Sequence, residues 1–105
     1  MATYIILSRI STEAVNKLKD LKDLSDEVSA KIKKECPDVN WKESYATFGR
    51  FDIVDIVESD DPKQVARAAL ILRTAGHETT ETLVATPWED MLRNLQESGR
   101  VAMAT

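Results

Sequence analysis

Residues 47–58, TFGRFDIVDIVE, combine a glycine-centred turn with an apolar run that has the composition of a β-strand. Alternate residues of a strand point to opposite faces of its sheet. Ile53 and Val57 would therefore lie on one face, and Val54 and Ile56 on the other. An antiparallel strand with one wet face carries polar residues at every second position. This run instead predicts a central strand in a sheet that is covered on both faces.

The turn before this strand has Gly49 and Arg50 as candidate central residues of a two-residue hairpin loop. Glycine at the first central position is typical of a type II′ turn, because φ must be positive there. Phe48 and Phe51 would then pair across the hairpin. A bulged variant of the turn fits the sequence equally well. With a positive φ at Gly49, a branched side chain there would cost more than about 1 kcal/mol.

Three further runs have the composition of strands: residues 3–8, 39–48 and 78–85. The first, TYIILS, is β-branched and aromatic and is again apolar on both faces, which indicates a second central strand. The second alternates imperfectly and places Val39, Trp41 and Tyr45 on one face.

Three amphipathic stretches predict helices: residues 12–36, 62–75 and 88–98. Apolar residues recur at intervals of three or four in the first, which could also break near residue 24. The other two begin with capping signals, DPKQ at 61–64 and TPWE at 86–89. Gly76 and Gly99 follow as predicted stops.

The predicted order is β-α-β-β-α-β-α, and its first six elements match the split β-α-β pattern of ferredoxin-like folds. We predict an α+β fold with a four-stranded antiparallel sheet and an added C-terminal helix. A single domain would cover residues 1–105, with a core at about 2–96 and a flexible tail at 97–105.

The far face of that sheet lacks cover within one chain, because two helices cover only one face of a ferredoxin-like sheet. The third helix could cover part of the remainder, and a second copy of the sheet would cover it more fully. Four or five apolar side chains would otherwise face water, at roughly 1.5–3 kcal/mol each. We therefore predict a homodimer through sheet faces.

The net charge and the cysteine content limit the classes of partner and the cellular compartment that fit this chain. The chain of 105 residues has a net charge of −4, and residues 36–61 carry seven acids against Lys42 and Arg50, which disfavours nucleic acid. No apolar segment approaches a membrane span, so we expect no membrane partner. The single cysteine, Cys36, agrees with a reducing compartment, and we predict a cytoplasmic location.

Several of these residues together resemble the GYD domain family over about residues 2–95: the run GRFD at 49–52, TYIIL at 3–7 and TETL at 80–83. Gly49, Phe51 and Asp52 occupy the Gly-Tyr-Asp-like signature, with phenylalanine replacing tyrosine. Asp55 stands where an apolar residue is expected. The resemblance implies a dimeric α+β barrel, in a family without an established general activity. The hairpin is also similar to that of the ligand-sensing domains of Lrp/AsnC regulators, where effectors bind nearby at subunit interfaces.

The two aspartates of the opening run cannot form a carboxylate dyad, because Asp52 and Asp55 point to opposite faces of one strand. Asp52 is either a ligand anchor or general base, or a structural acid that accepts turn amides or pairs with Arg50. Asp55 must find a partner, become protonated, or border a wet cavity, since burial of an unpaired carboxylate is costly.

The candidate ligand-binding residues share polar or aromatic side chains near the hairpin or a helix end: Asp52, Asp55, Tyr45, Arg50 and His77. Gly49 is the structural turn residue. His77 is the single histidine and has no neighbouring ligand set, so we expect no metal. Cys36 has no histidine close in sequence that would make it a nucleophile. Three scattered glycines form no phosphate loop, so we expect no cofactor.

These features predict a small cytoplasmic homodimer that acts as a small-molecule-binding or interaction module. The alternative is a cofactor-independent enzyme of the monooxygenase or isomerase type, a class found among dimeric α+β barrels. An enzyme would bring Asp52, Asp55, His77 or Tyr45 together in a closed cavity. A structural module would show those groups paired and the cavity filled.

Overall fold

A computed structural model describes residues 1–11, 21–75 and 77–104, without the side chains of residues 21, 77, 78 and 98–104. Its elements follow the predicted order: β1 (Ala2–Ile10), α1 (Leu21–Glu35), β2 (Asn40–Ala46), β3 (Ile53–Ser59), α2 (Pro62–Thr74), β4 (His77–Ala85) and α3 (Trp88–Ala104). The predicted first turn of this helix, after a cap at Ser11 or Thr12, lies outside the described residues. From Leu21 onward α1 is continuous, so the possible break near residue 24 does not occur.

The four strands form one sheet in the order β2-β3-β1-β4, and every neighbouring pair is antiparallel. This order confirms the ferredoxin-like prediction, with β1 and β3 at the centre. Tyr4 pairs with Val57 and Ile6 with Asp55, and these residues lie on the side covered by α1 and α2, here called the helix face. The opposite side is here called the outer face.

The core lies between the helix face and the two helices α1 and α2. Its buried members are Ile6, Ile32, Cys36, Val57, Val65, Ala68, Ile71 and Leu72. Two apolar residues of α2 do not face this core, since Leu70 is 59% exposed and Ala66 is exposed as well. Ala68 lies three residues after Val65 and Ile71 three residues after Ala68, and these spacings keep the buried residues on one side of the helix.

Helix α2 begins as its capping signal predicts, but one partner differs. The Asp61 carboxylate accepts a hydrogen bond from the Lys63 amide at 3.0 Å, and Pro62 takes the first helical position. Gln64 does not complete a capping box. Its side chain instead accepts from the Asp38 amide at 2.9 Å and donates to the Asp38 carboxylate at 2.8 Å. These two bonds connect α2 to the segment between α1 and β2.

The connection between β2 and β3 is longer than the predicted two-residue hairpin loop. It covers residues 47–52, and the Thr47 amide donates to the carbonyl of Asp52 at 2.9 Å. The φ of Gly49 lies outside the left-handed region that a type II′ turn requires, and Phe48 is fully exposed at 103%. The type II′ turn and the Phe48–Phe51 pair are therefore wrong. A six-residue connection closes the hairpin without a left-handed residue at Gly49.

The substitution Gly49→Ala is expected to be neutral or to stabilise the protein by up to about 1 kcal/mol, because alanine restricts the unfolded chain. A Cβ built at Gly49 has no heavy atom within 4 Å, so nothing in the folded state opposes it. Chemical denaturation measures the change in the free energy of unfolding. A loss above about 1 kcal/mol would show that the turn does require a left-handed residue.

Helix α3 continues through Gly99 to Ala104, so Gly99 is not its stop and the predicted tail at 97–105 is helical as far as Ala104. Every side chain described in α3, from Trp88 to residue 97, is exposed. The extents of the molecule along its principal axes are 62 × 31 × 17 Å. The apolar side of α3 is thus left uncovered by its own chain. Among the described helices, none has the length and apolar character to cross a bilayer.

Candidate functional site

A cavity of about 790 Å³ lies between α1 and the helix face of the sheet. Apolar side chains form most of its wall: Ile10, Leu24, Val28, Ile32, Val39, Ile53 and Leu72. Asp55 and Trp41 line it from the sheet, and Lys33 lines it from α1. An apolar space with a few polar groups is the usual composition of a small-molecule site.

Asp55 supplies the carboxylate of this cavity and is only 4% exposed. Its Oδ1 accepts a hydrogen bond from the Ser44 hydroxyl at 2.6 Å and another from the Trp41 indole N–H at 3.2 Å. Trp41 Nε1 also lies 3.0 Å from Ser44 Oγ, which closes a triangle of polar groups. Within the described residues no group donates to Oδ2. Among these residues, Oδ1 of Asp55 thus has two donors and Oδ2 has none.

A β-bulge places the two donors on the same side as Asp55. The register of β2 against β3 shifts between Trp41 and Glu43, so that Trp41 pairs with Val57 and Ser44 pairs with Asp55. An extra residue in a strand reverses the alternation that follows it. Trp41 and Ser44 therefore both face the helix side, although they are three positions apart.

The same bulge moves Tyr45 away from the cavity. Tyr45 pairs with Val54 on the outer face and is 50% exposed. The predicted common face of Val39, Trp41 and Tyr45 is thus wrong for Tyr45. Trp88, the other tryptophan, lies on α3 and is 71% exposed, so Trp41 alone among these aromatics lines the cavity.

Asp52 lies at the end of the β2–β3 connection and contacts β1. Its Oδ2 accepts the Ile10 amide at 2.8 Å, and its own amide donates to the Ser8 carbonyl at 2.8 Å. Arg50 does not pair with Asp52; its guanidinium lies 5.8 Å from the centre of the Phe51 ring. Asp52 thus joins two segments that are 42 residues apart in sequence.

The predicted site residues do not converge. Asp55 lies on the helix face, Asp52 at the β2–β3 connection and Tyr45 on the outer face. His77 is the first residue of β4, and its side chain lies outside the described part of the chain. In that part, no group of three or more His, Cys, Asp or Glu residues is placed to hold a metal ion.

Cys36 is fully buried beside the cavity. Burial raises the pKa of its thiol above the ordinary value, the nearby Arg67 opposes that rise, and Glu35 adds to it. The thiol therefore stays protonated at neutral pH. Because the thiolate is the nucleophilic form, Cys36 is a packing residue with low reactivity.

Sequence reasoning did not identify two polar residues of the helix face. Ser44 donates a hydrogen bond to Asp55, and Ser8 is fully buried with no hydrogen-bond partner for its hydroxyl within the described residues. The alternation of β1 could have placed Ser8 inward with Tyr4 and Ile6. Nothing in the sequence indicates the bulge that brings Ser44 to Asp55.

The outer face is the second candidate surface. It carries Ile5, Leu7, Val54, Ile56, Tyr45 and Leu83. The four central side chains are only half-buried, while Tyr45 and Leu83 are 50% and 40% exposed. An apolar surface that extends across neighbouring strands is typical of an interface.

Comparison with known proteins shows which families share this arrangement. The GYD domain model matches residues 4–95. A curated relative from Thermus thermophilus, the glutamine synthetase and cystathionine beta-lyase binding protein, is 32% identical over 96 residues, which are 91% of this chain and 100% of that protein.

Solved structures agree on the fold. A crystal structure of a protein from Thermus thermophilus has 27% sequence identity to this chain, covers 83% of this chain and 95% of its own, and has a TM-score of 0.54. The crystal structure of FFRP-DM1 covers 82% of this chain and 100% of its own, at 23% identity and a TM-score of 0.54. The likeness to FFRP-DM1 concerns the fold alone.

Proposed function

Because the chain belongs to the GYD domain family, we propose that it is a binding module that acts as a homodimer in the cytoplasm and presents an apolar helix to other proteins. The carrying observation is the uncovered apolar outer face. The relative from Thermus thermophilus is named for its binding of two enzymes, which supports a protein partner.

In the proposed homodimer, a second copy of the chain packs against the outer face. Both central strands carry apolar residues there, among them Ile5, Leu7 and Ile56. Water contact would cost roughly 1.5–3 kcal/mol for each large side chain that a partner could bury. Two such faces packed together form the usual interior of two stacked sheets. A closed two-fold pair buries the same residues from each subunit.

The molar mass in solution tests the dimer. We expect light scattering at micromolar concentration to give twice the chain mass of 11.8 kDa. A well-folded particle of single-chain mass would reject the proposed pairing.

Helix α3 supplies the surface for another protein. Trp88, Leu92 and Leu95 recur at spacings of three and four and are 71%, 42% and 57% exposed, together with Met91 at 37%. An amphipathic helix with such a stripe binds in an apolar groove of a partner. Glutamine synthetase and cystathionine beta-lyase are the first partners to test, since both occur in the relative's name.

The substitution Leu92→Lys is expected to weaken binding of such a partner at least about tenfold, because it places a charge in the centre of the stripe. Asn94→Lys is the matched control, since it adds the same charge on the opposite side of the helix and both positions are exposed. Biolayer interferometry measures the affinities of both variants and of the wild type for glutamine synthetase and cystathionine beta-lyase from the organism that encodes this chain. Equal losses in the two variants, or no binding by the wild type, would contradict the role of α3.

The cavity supports small-molecule binding as a second candidate function. Its size and the available Oδ2 of Asp55 favour it. The enzyme alternative is not favoured, because Asp52, Asp55 and Tyr45 lie at separate places on the fold. Binding in the cavity leaves the outer face free for the second subunit.

A further inference from the structure

We propose that the cavity binds a small molecule that carries a primary amine on an apolar or aromatic body, with its ammonium group against Asp55. This inference rests on the second candidate function above and not on the dimer or on α3. The volume of about 790 Å³ suits such a ligand, since small-molecule pockets occupy roughly 300–1,000 Å³.

The charge requirement comes from Asp55. Its Oδ1 already accepts from Ser44 and Trp41, whereas Oδ2 has no donor within the described residues. Asp55 lines the cavity, so a ligand bound there lies beside its carboxylate. A buried carboxylate oxygen without a donor is unfavourable. An ammonium group supplies both the missing donor and the opposite charge.

In the part of the chain that the structure describes, the protein's own cations do not fill this place. Lys42 lines the cavity, but its ammonium lies 3.7 Å from the Glu58 carboxylate. Lys33 also lines the cavity, and within the described residues it forms no ion pair with Asp55. The carboxylate is therefore left for a ligand.

The remainder of the ligand is set by the walls. Val28, Ile32 and Leu72 offer aliphatic contacts, which suit an apolar body. The Trp41 ring is held by its N–H bond to Asp55, so an aromatic surface lies next to the carboxylate. An anion at the same place would be repelled by Asp55 in surroundings of low dielectric constant.

The two tryptophans provide an NMR test. Trp41 donates its indole proton to Asp55, while Trp88 lies on exposed α3 and serves as an internal control. Phenylpropylamine, phenylpropanol and phenylpropanoate are titrated as matched cationic, neutral and anionic probes. We expect the amine to shift the Trp41 indole resonance saturably, with a Kd at least about tenfold lower than that of the alcohol. The Trp88 resonance should stay in place, and the anion should not bind.

Two variants test the contribution of the Asp55 carboxylate and that of the cavity volume separately. Asp55→Asn keeps an acceptor for Ser44 and Trp41 but removes the charge, so the advantage of the amine over the alcohol should fall below about twofold. Val28→Trp fills the cavity without altering Asp55 and should weaken both probes at least about tenfold.

Three results would overturn the proposal. They are equal affinities of amine and alcohol for the wild type, an amine preference that survives Asp55→Asn, and a Trp41 resonance that does not respond to millimolar amine. The cavity and the outer face lie on opposite sides of the sheet. The titration can therefore succeed in a monomer or fail in a dimer, which keeps the two proposals separately testable.

Discussion

The substitution Ile56→Glu is expected to convert the proposed dimer into a folded monomer. Ile56 lies at the centre of the outer face, paired with Ile5 of β1, and is already half-buried in the single chain. In a two-fold interface the change occurs twice, so two unpaired carboxylates enter the contact, at a total cost of at least about 3 kcal/mol. This corresponds to a dimer dissociation constant at least about 100-fold higher. The lost burial of the remaining exposed part of each Ile56 adds to the effect.

Sedimentation equilibrium over a range of concentrations measures this change, and Val84→Glu is its matched control. Val84 is also an apolar strand residue, but it pairs with Tyr4 on the helix face and is 74% exposed. The control should remain dimeric. If Ile56→Glu stays dimeric while folded, the two subunits do not pair through the outer face.

The substitution Asp52→Ala is expected to lower the free energy of unfolding by about 2 kcal/mol, because the loss of a charged acceptor leaves the Ile10 amide without its partner. The bond of 2.8 Å joins the end of β1 to the β2–β3 connection, across 42 residues of sequence. For a domain of this size we expect a fall in Tm of about 8 °C or more. Thermal and chemical denaturation at one fixed protein concentration measure both quantities.

Asp52→Asn provides the comparison for this bond. Its side-chain oxygen can still accept the Ile10 amide, so the loss should be about half as large. An unfolding free energy for Asp52→Ala within about 0.5 kcal/mol of the wild type would show that the bond contributes little. Equal losses for the two variants would assign the effect to the charge of Asp52 rather than to its position as an acceptor.

The ligand-binding role of the predicted site residues stays a prediction. For Asp55 the sequence indicated that the carboxylate needs a partner, a protonated form or a wet cavity, because its burial in an apolar strand is costly. The hydrogen-bond partners that Asp52 and Asp55 have in the structure were not predicted. Asp52 binds an amide of β1, and Asp55 binds a hydroxyl and an indole of β2. Each of these contacts depends on strand register, which local sequence does not specify.

The turn between β2 and β3 also differs between the sequence-based prediction and the structure. Gly49 was predicted to need a positive φ, because a two-residue hairpin loop needs one. The strands end earlier, at Ala46 and Ile53, and the six residues between them relieve that requirement. The length of a connection depends on where strand pairing stops, and that is decided by contacts on both sides of the sheet.

By itself the sequence determined the order of the elements, the two central strands and the cap at Asp61, because periodicity and capping act over a few residues. The same periodicity determined that one face of the sheet would be apolar and uncovered. Only the tertiary structure decided that Trp41 faces the cavity and Tyr45 the outer face. One bulged residue between Trp41 and Glu43 reverses the alternation of β2, and its position follows from pairing with β3 rather than from any local preference.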